Sequence, residues 1–328
     1  MAEQATALAV DVTHSFRAMA STVNLRVVDP LGDVSDRFAA VQDLFSAIER
    51  ACTRFNDSSD LMRANAEPGA WTTVAPECFA AVRLAFDAHL ATEGAFDPRI
   101  LDSLTTFGYD RSLDFESGSV TTATLGRPDT DLAVRESWQP EFDDDRSAIR
   151  LGDRPIDLGG IGKGYAVRCG IELLRGAGTS ALVEAGGDLA TYGPGPHRDA
   201  GVSRCWRVSV EDPRDGSRAI AVLDASDAGV ATSSIRLRSW RAGERQVHHL
   251  IDPRTGEPAE SGLLAVTVVA DDPAWAEVWT KACFLAGSAN ISKFAGSRDL
   301  AALWVNEDGR IGVSDAMNSR VLWRADHE

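Results

Sequence analysis

Lysine is nearly missing from this chain. Lys163, Lys281 and Lys293 stand against thirty arginines in 328 residues, which fits a compositional bias and makes each lysine worth following. Cysteine is scarce too: five residues, at 52, 78, 169, 205 and 283, with no Cys-x-x-Cys. An odd, scattered set excludes a disulfide framework or a cysteine metal cluster, and reads as reduced, mostly buried thiols in a cytoplasmic protein. No Lys or Arg precedes Arg17, and the apolar run 5–10 is too short for the core of a secretion signal, so no leader is expected. No apolar run approaches the roughly eighteen residues of a membrane span, so no membrane insertion is expected. Net positive charge is lacking as well; the formal −16 argues against general affinity for nucleic acid or anionic membrane surfaces.

What the chain does have is glycine in one concentrated stretch, Asp157-Leu-Gly-Gly-Ile-Gly-Lys-Gly-Tyr-Ala166. An apolar lead-in over 155–158 meets glycines 159, 160, 162 and 164, and a helical pattern follows over 165–174. Glycine lets backbone N–H groups approach a ligand, and a helix start adds partial positive charge, so such a turn suits a phosphate. A Walker A loop fails at Asp157 and Gly164, and a dinucleotide fingerprint fails at Tyr165. On its own the turn reads first as a tight strand-to-helix connection.

Residues 1–14 read as a flexible tail and 15–328 as a single domain. Position 23–28 alternates as a strand, and apolar residues at 38, 41, 44, 45 and 48 predict a helix over 36–52. Besides the helix over 165–174, others are predicted over 76–92 and from the Asp272-Pro273 start to 285. Region 108–145 is polar, carries Pro128 and Pro140, and reads as a long surface excursion with one short hairpin. Strand patterns recur at 148–158, 181–184 and 264–270, with hairpins over 207–223 and 301–313 and short strands flanking Asp252-Pro-Arg-Thr-Gly256. Strands and helices mix without regular alternation, so the predicted class is α+β.

Several side chains carry possible chemistry. His248 and His249 precede the Asp252 turn on a strand, where alternation sends them to opposite faces, so at most one faces a given site. One exposed and one packed histidine is the plainer reading; a general base beside Ala231-Thr-Ser-Ser234 is the other. Glu277 and Lys281 are four apart on a predicted helix, the spacing of an ordinary solvated ion pair. Asp97, Asp157 and Asp188 each sit beside Gly or Pro, as turn-forming aspartates do.

Taken in order, these blocks resemble the FAD:protein FMN transferase (ApbE) family. The matching pieces are Phe16-Arg-Ala-Met-Ala-Ser-Thr22, Arg54-Phe55 with Ser59-Asp60-Leu61 and Asn65, Gly94-Ala-Phe-Asp-Pro98, and the glycine stretch. They continue with Glu184-Ala-Gly-Gly-Asp188, Ala231-Thr-Ser-Ser234, His249-Leu-Ile-Asp-Pro-Arg-Thr-Gly256, and Ala276-Glu277 on to Gly287. The resemblance implies a compact two-lobed α+β fold with mixed sheets, FAD bound in a cleft between the lobes, and transfer of FMN from FAD to a Thr or Ser of a target flavoprotein with release of AMP. Its rivals are an FAD pyrophosphatase and a non-catalytic FAD-binding protein. It implies His249 as the base, Thr232 and Ser233 on substrate or phosphate oxygens, and Lys163 with Gly160 and Gly162 along the nucleotide. Met19, Ala20, Ser21, Thr22, Asp97, Asp157, Gly187 and Asp188 would complete the FAD site. Mg²⁺ would take Gly162 and the positions of Glu277 and Lys281.

The chain departs from the family's pattern in three places. Ala20 stands where Gly is frequent, and Arg168 where Asp is frequent. Glu277 and Lys281 stand where Asp and Thr commonly bind the metal. Two places are open for Lys281: outward in a surface pair, or inward beside the phosphates in place of the metal's charge.

Overall fold

Alternating apolar residues build one eight-stranded antiparallel sheet whose strands lie side by side in chain order. The computed structural model describes residues 10–113, 115, 120–122, 136–196, 205–214, 216–236 and 238–325. The strands are β1 (Asp11–Ala18), β2 (Ser21–Pro30), β3 (Gly178–Ala185), β4 (Asp188–Tyr192), β5 (Gly229–Ser234), β6 (Leu263–Ala270), β7 (Ala301–Asn306) and β8 (Ile311–Val313). The helices are α1 (Ser35–Cys52), α2 (Asp60–Ala66), α3 (Pro76–Ala91), α4 (Leu101–Thr106), α5 (Gly162–Leu174), α6 (Pro273–Ala286), α7 (Ile291–Gly296) and α8 (Asp315–Asn318).

The period of two sorts the core onto the two faces of this sheet. Val23, Leu25 and Val27 of β2, with Ala181, Val183 and Ala185 of β3, pack under α1 and α5. On the same face Ala231, Val266, Val268 and Ala302 pack against Ala276, Cys283 and Phe284 of α6. The intervening residues Leu189, Val230, Val269 and Leu303 point the other way, where a smaller sheet of Arg207–Glu211, Ala219–Asp224 and Val321–Arg324 covers them. The fold is α+β, and its one parallel pairing among the described residues joins Thr121–Thr122 to Ser239–Ala242. Among the described residues no helix is long and apolar enough to cross a membrane. All five cysteines are free, and all but Cys169 are buried.

Some expectations need correcting. Residues 11–14 belong to β1, paired with 25–28, so the tail cannot extend to 14. In β1 the odd positions are exposed and Val12, His14, Phe16 and Ala18 face inward, an alternation that is only half-buried for most of its length. Residues 1–9 lie outside the described residues. Only Ala148–Arg150 of the 148–158 pattern is a strand; the rest is irregular chain whose Leu151, Ile156 and Leu158 are buried. The excursion over 108–145 is not all surface: Trp138 is fully buried and its indole N–H donates to the Leu151 carbonyl at 2.7 Å. Its short hairpin pairs Glu141–Asp143 with Ala148–Arg150, and residues 114, 116–119 and 123–135, Pro128 among them, lie outside the described residues.

Candidate active site

The glycine stretch earns its glycines by close approach. α5 begins at Gly162, three residues before the predicted helix, so Gly162, Lys163 and Gly164 form its first turn. A Cβ on Gly164 would lie 2.7 Å from the Ala274 Cα and 2.8 Å from the Pro273 carbonyl, so only glycine lets α5 and α6 meet here. That meeting brings Glu277 of α6 over the start of α5, where its Oε2 accepts the Gly164 N–H at 2.8 Å. An anion closing a helix N-terminus is the favourable polarity.

Glu277 then gathers two of the three lysines of the chain. Its Oε1 lies 3.4 Å from the Lys163 ammonium and 3.3 Å from that of Lys281, and Lys163 also pairs with Asp188. The side chains of Glu277 and Lys281 are 3% and 16% exposed, so the solvated surface pair is ruled out. Burial pushes the Glu277 carboxyl up, but the two ammoniums and the Gly164 N–H outweigh it and hold the group at about 2. Burial depresses Lys163 to about 8 despite Glu277, and lowers Lys281 as well.

Lys163 and Lys281 line a cavity of about 340 Å³ together with Gly160, Gly162, Arg238 and His249. Its apolar wall includes Phe55, Phe96, Tyr109 and Phe284. His249 is oriented by one contact: Nδ1 sits 3.2 Å from the Arg238 carbonyl. A carbonyl only accepts, so Nδ1 carries the proton and Nε2 keeps its lone pair. Burial, then the charges of Arg238 and Lys281, lower its pKa well below the usual value, so the ring is neutral. His248 differs. Its Nε2 donates to the Ala259 carbonyl at 3.2 Å and its Nδ1 accepts the Leu250 N–H at 3.3 Å, which occupies both nitrogens.

Met19 and Ala20 reach the cavity from the β1–β2 hairpin tip, both at positive φ, 51° and 56°. A two-residue turn of this hand favours glycine or asparagine, so the tip carries backbone strain beside the site. Asp157 and Asp97 are in the wall, with their carboxylates engaged. Asp157 accepts the Gly159 N–H and pairs with Arg54 Nε, each at 2.9 Å. Asp97 is held by Arg99 at 2.8 Å and His89 at 3.3 Å.

Other candidates lie off the cavity wall. Ser21 is buried beneath the Gly186 turn, while Thr22 and Gly187 are exposed. Strand alternation separates Thr232 from Ser233: Thr232 is exposed and pairs with Thr267 at 2.9 Å, while Ser233 bonds to Thr280 of α6 at 2.6 Å. Asp188 and Glu277 stand behind the wall and hold its lysines. Two wall residues had no role assigned from sequence. Arg54 was visible in a matching motif, whereas Arg238 belongs to none. Arg54 is stacked between Phe55 and Tyr109, at 4.3 and 4.2 Å, and its buried Nη2 has no hydrogen-bond partner among the described residues.

The profile of the ApbE family matches residues 19–304. The chain belongs to the ApbE family. It is similar to the FAD:protein FMN transferase of Klebsiella pneumoniae (strain 342), 27% identical over 281 residues that cover 83% of this chain and 77% of that protein. The transferase of Treponema pallidum (strain Nichols) is 28% identical over 299 residues, covering 86% and 81%. The crystal structure of the ApbE protein of Thermotoga maritima superposes with a TM-score of 0.76 at 24% identity, over 94% of this chain and 99% of that one, which carries the fold.

Within this ApbE chain the departures have definite places. Arg168 faces Asp272 at the start of α6, with Nε 2.9 Å from its carboxylate, and does not line the cavity. The implied Mg²⁺ does not fit the residues present. Both Glu277 oxygens already accept, Lys281 offers only donors, and the neighbouring Thr280 hydroxyl is turned to Ser233. Of the implied ligands the Gly162 carbonyl remains, whereas Mg²⁺ is normally held by one or two carboxylates besides phosphate and water. Among the described residues no group of three His, Cys, Asp or Glu is placed to hold a metal.

Proposed function

We propose that this chain is an enzyme that transfers FMN from FAD to the hydroxyl of a Thr or Ser on a target flavoprotein, forming a phosphoester and releasing AMP. The observation that carries the reading is His249: a neutral imidazole with Nε2 unprotonated, in the wall of a cavity that also presents Lys163, Arg238 and Lys281. Such a wall suits a ligand with a planar, largely apolar ring and a pyrophosphate.

In this mechanism Nε2 of His249 takes the proton of the acceptor hydroxyl as its oxygen attacks the FMN phosphorus. The new O–P bond forms as the bond to the AMP phosphate breaks, and AMP leaves with the electron pair. The cationic side chains meet the charge that develops on the phosphate oxygens, where preorganised charge is most effective. The unpartnered Nη2 of Arg54 is a donor available to the ligand.

The test is mass spectrometry of candidate flavoproteins incubated with this chain and FAD. A covalent FMN adduct on Thr or Ser supports the proposal; FAD cleavage to FMN and AMP without an adduct replaces it with a hydrolase. FAD should also bind more tightly than FMN or riboflavin, and equal affinities would contradict a site built for both halves of FAD.

A further inference from the structure

Among the described residues, two of the chain's three lysines are committed to one buried glutamate, and burial makes that commitment costly. Ion pairs removed from water recover their desolvation cost poorly, so Glu277 with Lys163 and Lys281 is a weak device for stability alone. The placement of Lys281 points to a different use. Its stem lies on the glycine turn: a Cβ on Gly160 would sit 3.1 Å from Lys281 Cε and 3.4 Å from Cδ. Its ammonium donates to the Glu277 carbonyl at 3.1 Å and faces Glu277 Oε1 at 3.3 Å. An ammonium has three N–H groups, so one is left for a ligand in the cavity that Lys281 lines.

Resting on the transferase reading, we propose that Lys281 supplies from within the chain the positive charge that a divalent cation would bring to the pyrophosphate, so that this site binds FAD without metal. Charge counting supports it. Three cations, Lys163, Lys281 and Arg238, line the cavity, and the carboxylate that would hold a metal, Glu277, is already shared by two of them. A divalent ion placed among them would be repelled. Two unit charges about 4 Å apart interact by about 4 kcal/mol at an effective dielectric constant near 20, and a divalent ion doubles that against each cation. A bound pyrophosphate is instead attracted by every one of them.

The experiment is a fluorescence titration of the full chain with FAD, in Mg²⁺ and in excess EDTA, beside Mn²⁺ binding followed by electron paramagnetic resonance. Affinity for FAD should be the same in both media, and Mn²⁺ should not bind stoichiometrically. Lys281→Met should weaken FAD binding by about tenfold or more, as loss of a close cation predicts, with no change in far-UV circular dichroism. Lys281→Thr should weaken it too, and added Mg²⁺ should recover part of the loss. EDTA weakening the native protein's binding tenfold, stoichiometric Mn²⁺ binding, or unchanged affinity in Lys281→Met would each overturn the inference. FAD binding that resists EDTA without any FMN transfer would sink the transferase reading and leave the metal-free site standing. Absence of FAD binding in every medium would overturn both.

Discussion

Replacing Glu277 by glutamine nearly preserves the side chain's shape while removing its charge from between Lys163 and Lys281. Taking away one partner of a buried ion pair costs about 3–5 kcal/mol, because a charge is left unpaired in low dielectric. The lysines set a ceiling on that cost, since either can escape by shedding its proton. At pH 7 the escape costs about 1.4 kcal/mol for folded Lys163, which titrates at about 8, at about 1.36 kcal/mol per unit. At pH 9 it costs nothing, because the group is already neutral there. Folded Lys163 already titrates at about 8, so between 8 and 10.5 the folded state binds fewer protons than the unfolded one, and stability from this group rises with pH. In Glu277→Gln the folded value falls further and that window opens downward. The variant should therefore lose more stability at pH 7 than at pH 9, by about the 1.4 kcal/mol that the Lys163 escape costs at pH 7. Urea unfolding followed by tryptophan fluorescence at the two pH values measures both. A loss below about 1 kcal/mol at pH 7, or equal losses at both, would refute the claim that this carboxylate compensates buried ammoniums.

Gly164→Ala should lower the melting temperature, because its Cβ would meet α6 backbone at 2.7 Å and overpacking costs about 1–3 kcal/mol; an unchanged melt would show that the helices part freely. Ala20→Gly should raise it slightly, since relief of about 1–2 kcal/mol of left-handed strain exceeds the roughly 0.5–1 kcal/mol of added chain freedom, and a lower melt would contradict strain at the hairpin tip. His249→Ala should cut FMN transfer by about 10²–10⁴ while FAD still binds, whereas His248→Ala should spare the chemistry, and the reverse result would put the base on the wrong histidine. Because burial holds His249 below its usual 6.5, the rate should show no acid limb at that pH, although stability from this group declines as pH falls below 6.5; a rate that halves near 6.5 would refute the assignment.

Much of the fold was legible wherever one face of an element is buried. The stripe of α1 and the alternation of β2 repeat in sequence because each packs mainly one side against the core, whereas β6 reads as an almost unbroken apolar run because both of its faces are buried. β1 escaped because its inward face, Val12, His14, Phe16 and Ala18, is short and mostly half-buried, and Trp138 because a buried residue inside polar chain has no period to betray it. The site was legible as motifs and illegible as roles. Nothing at positions 232 and 233 tells which hydroxyl faces α6 until the register of β5 is set. Spacing made Glu277 and Lys281 look like a surface pair, since burial of α6 on that side comes from α5, more than a hundred residues away in sequence. Arg238 has no motif at all, and its carbonyl sets the tautomer of His249 through a contact only the folded chain creates.

The two charged departures from the family pattern converge on the junction of α5 and α6. Arg168 of α5 binds Asp272, whose carboxylate also caps α6 by accepting the Ala274 N–H at 2.9 Å. Glu277 of α6 returns the arrangement by accepting the Gly164 N–H in the first turn of α5. Each helix start is thus closed by an acid of α6 or its cap, and each of those acids carries a base: Arg168 on Asp272, Lys163 and Lys281 on Glu277. Gly164 is what allows it, since any larger residue would separate the helices and draw Glu277 away from Lys163. A shorter acid at 277 could not span the same distance to Gly164 without moving α6. The extra methylene of Glu277 and the ammonium of Lys281 therefore belong together: the longer acid reaches the helix start, and the lysine beside it brings positive charge to the cavity wall.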